Sequence, residues 1–156
     1  MITLSKKGQN LLRSSNEINK TLPNSKEFEI SLFGPGFGEC IVLHIGKGKW
    51  LIVDSCLNSK TKKPIAIEYL KSIGVTPVES VEAFIISHWH SDHIRGANQI
   101  VSECSETRIC YSAALLKEEF LSLISAYSGS DITSILDQHT SATKEIASVV
   151  EILKKT

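Results

Sequence analysis

The sequence predicts a mixed α/β fold in which helices cover one face of a mixed sheet. Residues 28–55 contain three short apolar runs with the alternation or the β-branched content of strands. Residues 64–112 alternate between helical and strand-like periods, and residues from 113 onward have an almost continuous helical period. A strand meander followed by helix–strand–helix–strand–helix favours a sheet with its helices on one side.

The composition is typical of one globular domain without an overall charge. The 156 residues suffice for one domain with a core and are too few for two typical domains. Basic and acidic residues number 17 each, so only a local patch or a bound metal could attract nucleic acid. No apolar run reaches the roughly 18 residues of a membrane span, and the N-terminus lacks a signal-peptide core.

Cysteine usage fits a reducing compartment, and we expect a cytoplasmic protein with no membrane partner. The absence of Cys-x-x-Cys spacing favours small buried side chains over disulfides or metal ligands. The four cysteines are Cys40, Cys56, Cys104 and Cys110.

The strands are predicted in a domain that covers residues 27–156. Residues 1–26 are polar and are expected to form a loose lead-in with one short helix around Leu11. The strand segments are "FEISLF", "CIVLHIG" and "WLIVDS". "GKGK", Gly46 to Lys49, joins the last two as a hairpin turn, because Gly supplies the positive φ that tight turns need. Three antiparallel strands in succession follow from this pattern.

The helices are predicted after the loop "NSKTKK". In "PIAIEYLKSIG", Pro64 suits a first helical turn and Gly74 is placed to end the helix. "VEAFIIS" is predicted as a strand, "HIRGANQIVSEC" as one helix and "TRICYS" as another strand. The last helical segment carries an apolar stripe of 3.6-residue period. The stripe consists of Ile132, Ile135, Leu136, His139, Ala142, Ile146, Val149, Val150 and Leu153.

The segment "HWHSDH", residues 88–93, is the strongest chemical signal. His88 and His90 are two apart at a strand end, so both imidazoles can reach one ion at about 2.0–2.1 Å. The natural division assigns His88 and His90 to one metal, and Asp92 and His93 to its neighbour. Two ions about 3.5–4 Å apart can stabilise the attacking and leaving oxygens of a hydrolysis. The alternative is a solvated loop that is rich in histidine.

Asp54 is the second part of this hypothesis. It ends the apolar run "WLIVDS", where a carboxylate is costly to bury without a partner. At this position it can hold a ligand histidine by the ring N–H that does not bind metal, which fixes the tautomer. The alternative is an ordinary turn aspartate.

"HWHSDH" resembles the His-x-His-x-Asp-His signature of the metallo-β-lactamase superfamily, and Asp54 matches the earlier aspartate of that family. "FGPGFGECIVLHIGKGKWLIVDSC" resembles the opening of the branch that contains the hydrolase domains of DNA-uptake competence proteins, with Glu39 where Asp is usual. The resemblance covers roughly Phe28 to Ser112.

The resemblance implies an αββα sandwich with two metal ions, usually zinc, although Mn²⁺ or Fe²⁺ is possible. His88 and His90 would hold the first ion, and Asp92 and His93 the second. Asp92 would also orient the attacking water, and Asp54 would be the supporting residue.

The family completes its site from the second half of the fold, and no such ligand pattern follows here. His44 lies inside a strand and is expected to be a satisfied sheet histidine; His139 is expected to pack on the last helix. Asp131 and Asp137 have no Gly-Asp strand context. We therefore expect the N-terminal half of a sandwich, whose apolar faces need a C-terminal half or a second copy, as in a homo-oligomer.

Basic side chains are candidates for substrate contact. Lys62 and Lys63 follow Asp54 in a loop that is either solvated or bound to phosphate, and Arg95 stands where many family members have Gly. "GPGFG", Gly34 to Gly38, is expected as a tight connection near the metal site or as a substrate contact. Trp89 is expected to pack rather than to stack on substrate.

Three functions remain open. The first is a metal-dependent hydrolase of a phosphoester or phosphodiester, with nucleic acid or a nucleotide as substrate. The second is a non-catalytic metal-binding or assembly module that packs against a partner or a second copy. The third is an enzyme assembled across a dimer interface, to which His139 is donated.

Overall fold

The computed structural model describes residues 2–7, 9–14, 21–34, 38–88, 90–111 and 141–153. Within these ranges the strands are β1 (Ile2–Lys7), β2 (Gln9–Ser14), β3 (Glu29–Phe33), β4 (Cys40–His44), β5 (Trp50–Val53), β6 (Val81–Ile86) and β7 (Arg108–Tyr111). The helices are α1 (Ile65–Ser72), α2 (Pro77–Ser80), α3 (Ser91–Ile94), α4 (Ala97–Glu103) and α5 (Ser141–Leu153).

The strands form one mixed sheet in the order β2-β1-β3-β4-β5-β6-β7. The pairs from β2 to β5 are antiparallel, whereas β5, β6 and β7 run parallel. The predicted three-strand meander is confirmed. Its hairpin pairs His44 with Trp50, and the N–H of Ile45 donates to the carbonyl of Lys49 at 2.9 Å.

One face of this sheet forms the core. Its inward side chains, among them Val42, Trp50, Ile52 and Phe84, are fully buried and cluster with residues of α1, α4 and α5. The opposite face is less covered, because Ile30 is 41% exposed and Leu32 is 37% exposed. The predicted fold class, a mixed sheet with helices on one face, is therefore confirmed and is consistent with part of an αββα sandwich.

Two local predictions are wrong. The short helix expected around Leu11 is instead β2, because β1 pairs with it along its length and the ladder overrides a weak helical pattern. The single helix expected over residues 93–104 is broken between α3 and α4. Gly96 sits at the break with φ +85°, and a Cβ there would lie 2.5 Å from Cδ2 of Leu57.

The remaining helices follow their sequence signals. Pro64 precedes α1, and Gly74 ends that segment with φ +82°. In α5, Ala142, Ile146 and Val149 are buried, so the described part of the predicted stripe faces the core. The predictions for Asp131, Asp137, His139 and Trp89 lie outside the described residues. Within the part of the chain described, none of the helices has the length and apolar character needed to cross a membrane.

Three of the four cysteines are buried, as predicted, and none of the four forms a disulfide. Cys110 differs, since it lies exposed on the edge strand β7. Burial raises the pKa of the Cys56 thiol to about 11, and the nearby Glu39 carboxylate adds to this effect. Cys56 therefore remains a protonated thiol near neutral pH.

Candidate metal centre

The parallel pairing of β5 and β6 brings two chain segments together at one edge of the sheet. Val53 is in register with Ile85, so the residues that follow both strands leave the sheet side by side. Asp54 continues the ladder by donating its N–H to the carbonyl of Ile85 at 2.8 Å. It has φ +58°, a left-handed conformation that Asp adopts more readily than most residues.

The Asp54 carboxylate is buried, with 8% of the residue exposed, and accepts three hydrogen bonds. Oδ1 accepts from the N–H of Ser87 at 2.8 Å. Oδ2 accepts from Oγ of Ser87 at 2.7 Å and lies 2.9 Å from Nδ1 of His93. These donors offset the desolvation of the carboxylate. The contact with a histidine of the motif is the one that the sequence predicted for Asp54.

The histidines of the motif converge. The His88 ring lies 3.9 Å from the His93 ring and 4.9 Å from the His90 ring, measured between centroids. Ligand atoms of His88, His90 and Asp92 all lie within 4.8 Å of one another, and the same holds for Asp54, His88 and His93. Nε2 of His93 is 3.6 Å from Oδ2 of Asp92.

This donor set fits a divalent ion such as zinc, which prefers imidazole nitrogens and carboxylate oxygens. Two ligands of one tetrahedral zinc ion lie roughly 3.3–3.5 Å apart, and these ligand atoms lie within 4.8 Å of one another, so binding needs side-chain movements of about 1 Å. Asp54 already accepts three donors and therefore supports the histidines rather than adding a free ligand. Because His88 belongs to both groups, the predicted division of ligands between two metals stays a prediction.

The turn that carries Asp92 and His93 is held from both sides by backbone hydrogen bonds. The N–H of Glu39 donates to the carbonyl of Asp92 at 3.0 Å, and the N–H of Ser55 donates to that of His93 at 2.7 Å. Gly38 adopts φ +106°, and a Cβ there would lie 2.9 Å from the Asp92 carbonyl oxygen. Gly38, the last residue of the predicted glycine-rich connection, thus lies beside the motif, while residues 35–37 lie outside the described ranges.

The basic candidates lie at the surface. Lys62 and Lys63 are exposed, and Lys63 lines a groove of about 490 Å³ between α1 and α4 whose lining does not include the motif histidines. Arg95 is exposed, and its charge acts on Glu145 of α5. Substrate contact by these three residues stays a prediction.

His44 lies at the other end of the hairpin from Asp54 and does not join the cluster. It is 1% exposed and packs against Trp50 with ring centroids 4.7 Å apart. Within the described structure neither of its ring nitrogens has a hydrogen-bond partner. The expectation of a satisfied sheet histidine is therefore wrong, although its place in the sheet core is as expected.

Ser87 is a residue of the candidate site that the sequence did not predict. Its Oγ contacts both Asp54, at 2.7 Å, and Nδ1 of His88, at 2.8 Å. The available signal was its position, directly after β6 and directly before the first histidine of the motif.

Comparison with known families agrees with the motif. A family model described as the metallo-beta-lactamase superfamily matches residues 33–128, which is more than half of the chain. No curated protein matches the chain. The matched range contains Asp54, Ser87 and the whole of the histidine motif.

Proposed function

The chain belongs to the metallo-β-lactamase superfamily, and from this premise we propose that it is a zinc-dependent hydrolase of a phosphoester or phosphodiester. The observation that carries the proposal is the convergence of His88, His90 and Asp92 at a sheet edge, beside a His93 that Asp54 holds. Imidazole and carboxylate ligands suit zinc, and Mn²⁺ or Fe²⁺ accepts the same set.

Each residue of the motif has a role in this proposal. His88 and His90 would hold one ion, and Asp92 and His93 would hold its neighbour. When bound, the metal supplies Lewis-acid polarisation of the scissile bond and a lowered pKa for water. Asp92 keeps 42% of its side chain exposed, which suits a group that orients the attacking water and accepts its proton. Asp54 holds the His93 ring.

The preference for phosphoesters is supported by two weaker observations. The segment from Phe33 to Cys56 resembles the branch that contains DNA-uptake hydrolase domains. The exposed cations Lys62, Lys63 and Arg95 are close in sequence to the site and could bind a phosphate or a nucleic-acid backbone.

The direct test measures zinc, manganese and iron content together with hydrolysis of bis-p-nitrophenyl phosphate. We expect the wild type to bind metal and the His88→Ala, His90→Ala double variant to lose it, and any ester hydrolysis that the wild type shows to be lost together with the metal. The control is Lys71→Ala, which removes an exposed ion pair with Glu103 on α4. Metal content at background in the wild type would contradict the metal centre. Metal binding with hydrolysis only of a thioester or lactone would contradict the substrate class.

A second candidate function is a metal-binding assembly module that packs against a second copy. The observation that favours it is the apolar sheet face opposite α1, where Ile30, Leu32 and Ile45 are 41%, 37% and 37% exposed. Light scattering of the wild type and of Leu32→Lys tests it. A dimer that Leu32→Lys dissociates, with bound metal but no hydrolysis of any ester, supports the assembly module over the hydrolase.

A further inference from the structure

Three short contacts link one carboxylate oxygen to two histidines of the motif. Oδ2 of Asp54 lies 2.7 Å from Oγ of Ser87 and 2.9 Å from Nδ1 of His93. Oγ of Ser87 in turn lies 2.8 Å from Nδ1 of His88. The N–H of Ser87 donates to Oδ1 of Asp54 at 2.8 Å, which keeps the carboxylate plane turned towards the hydroxyl.

The protons available to these groups determine which atom is the donor in each hydrogen bond. An ionised carboxylate has no proton to donate, so the single hydroxyl proton of Ser87 must lie on the 2.7 Å bond to Asp54. Such a charge-assisted O–H···O⁻ bond is stronger than a neutral one. Oγ of Ser87 is then an acceptor towards His88, and Nδ1 of His88 must carry the proton of the 2.8 Å bond.

The opposite arrangement is unfavourable. If the hydroxyl donated to Nδ1 of His88, two oxygens without a proton between them would face each other at 2.7 Å. Asp54 would also lose one of its three donors while still buried. The same reasoning applies directly to His93, because only an Nδ1–H can donate to Oδ2 of Asp54.

We infer that Ser87 is a positioning residue that holds His88 in its Nδ1–H tautomer, so that Asp54 fixes two histidines through one oxygen. Both rings then present an unprotonated Nε2. This tautomer assignment stands for the metal-free protein, and only its consequence for metal binding rests on the proposed function.

Removal of the Ser87 hydroxyl should therefore remove the constraint on the His88 tautomer. In Ser87→Ala, Nδ1 of His88 loses its acceptor, and the ring can populate both tautomers. His93 keeps its own bond to Asp54, so its tautomer should not change. Partners of this kind behind a ligand typically contribute roughly 10–100-fold to metal affinity.

Long-range ¹H–¹⁵N spectra of the metal-free protein test the tautomer, at about pH 8, where most imidazoles are neutral. We expect His88 and His93 as Nδ1–H in the wild type, a mixture for His88 alone in Ser87→Ala, and the wild-type pattern in Ser87→Thr, which keeps a hydroxyl. Ser72→Ala is the matched control, since it removes one hydroxyl bond, to the Tyr69 carbonyl at 2.7 Å, far from the motif. His88 found as Nε2–H in the wild type would overturn the inference even if a variant failed to fold.

Zinc affinity, measured by chelator competition, gives the second result. We expect Ser87→Ala to bind zinc roughly 10–100-fold more weakly and Ser87→Thr and Ser72→Ala to bind as the wild type does. If the predicted tautomers are seen but the wild type binds no metal, the proposed function fails while the inference holds. If the wild type binds zinc and Ser87→Ala keeps both its tautomer and its affinity, the inference fails while the proposed function stands.

Discussion

Oδ2 of Asp54 lies 2.9 Å from Nδ1 of His93, across 39 positions of the chain. This contact joins the end of β5 to α3, and the N–H of the adjacent Ser55 donates to the His93 carbonyl at 2.7 Å. His93 is therefore held at its side chain by Asp54 and at its backbone carbonyl by Ser55, two consecutive residues at the end of β5.

The first prediction concerns that carboxylate. Asp54→Asn keeps the size of the side chain and tolerates φ +58°, but its amide nitrogen cannot accept the bonds of Ser87 and His93. We expect zinc affinity to fall roughly 10–100-fold, as for the loss of other groups that orient a ligand. Chelator competition measures it, with Glu103→Gln, at an exposed position of α4, as the control. An unchanged affinity in Asp54→Asn would refute the supporting role.

The second prediction concerns the break between α3 and α4. In Gly96→Ala the new Cβ would lie 2.5 Å from Leu57 Cδ2 and 3.1 Å from Pro64 Cγ, at φ +85°. We expect the free energy of unfolding to fall by more than about 1 kcal/mol, measured by urea denaturation. Gly74→Ala is a close control, because it has φ +82° but no atom of the described residues lies within 4 Å of its Cβ.

The comparison of these two alanine variants separates backbone strain from the steric clash. Gly96→Ala should be the more damaging, and adding Leu57→Ala to it should recover part of the loss, because the closest atom is then removed. Equal losses in Gly96→Ala and Gly74→Ala would show that the clash is relieved at no cost.

The third prediction concerns thiol chemistry and alkaline pH. Burial raises the pKa of Cys56 to about 11 and that of Cys104 to about 12, from 9.0, and also raises the pKa of Cys40. Because the folded protein retains these protons longer than the unfolded chain does, their stabilising contribution is complete below pH 9.0 and is lost as pH rises towards 11 and 12.

Two measurements check this prediction. A thiol reagent at about pH 8 should modify only Cys110 of the native protein, because the other three thiols are buried and protonated. The urea midpoint should then fall as the pH is raised above 9.0. Rapid modification of all four thiols in the native state, or a midpoint that rises with alkaline pH, would contradict the burial of these groups.

The fourth prediction concerns Glu145, through which α5 contacts the start of α4. Burial raises the pKa of this carboxyl, although the N–H of Asn98 donates to its Oε1 at 2.9 Å and Arg95 lies nearby. A raised pKa in the folded state means that stability is complete below the unfolded value and is lost as the carboxyl ionises. Glu145→Gln removes this ionisation and can still accept from Asn98.

We therefore expect Glu145→Gln to gain stability relative to the wild type as the pH rises from about 4 to about 7. Glu145→Ala should instead be less stable than Glu145→Gln at both values, since the N–H of Asn98 loses its acceptor. Urea denaturation at the two pH values measures both effects. If the wild type instead becomes more stable relative to Glu145→Gln as the pH rises, the favourable interactions with Arg95 and the helix terminus outweigh the cost of burial.

The fifth prediction concerns His44. Among the residues that the structure describes, neither of its buried ring nitrogens has a partner, and a buried unsatisfied polar group costs about 1–3 kcal/mol. His44→Phe keeps the aromatic contact with Trp50 and removes both nitrogens, so we expect an increase in the free energy of unfolding. His44→Ala should lose stability, because it leaves a cavity against Trp50. Destabilisation by both substitutions would show that the nitrogens of His44 are satisfied in solution.

Local patterns in the sequence were sufficient for much of the fold and for locating the candidate site. Alternating apolar residues and the Gly46–Lys49 turn predicted the β3–β4–β5 meander, since strand period and turn chemistry are properties of adjacent residues. The spacing of His88 and His90 likewise predicted that their rings come together, because residues two apart at a strand end point to the same side, and the structure groups them with Asp92.

Only the tertiary structure decided the support of the motif histidines, the break between α3 and α4 and the strand at residues 9–14, because each depends on contacts between residues that are distant in the chain. Parallel pairing of β5 with β6 brings Ser87 into contact with Asp54, so that the serine connects Asp54 to its chain neighbour His88. Leu57 and Pro64, packed against Gly96, break a segment whose local pattern predicted one helix. Pairing with β1 makes a strand of residues 9–14, whose own sequence indicated a helix. The periodicity of a segment indicates its own preference for helix or strand. A contact across the sheet depends also on the position of a second segment that is distant in the sequence.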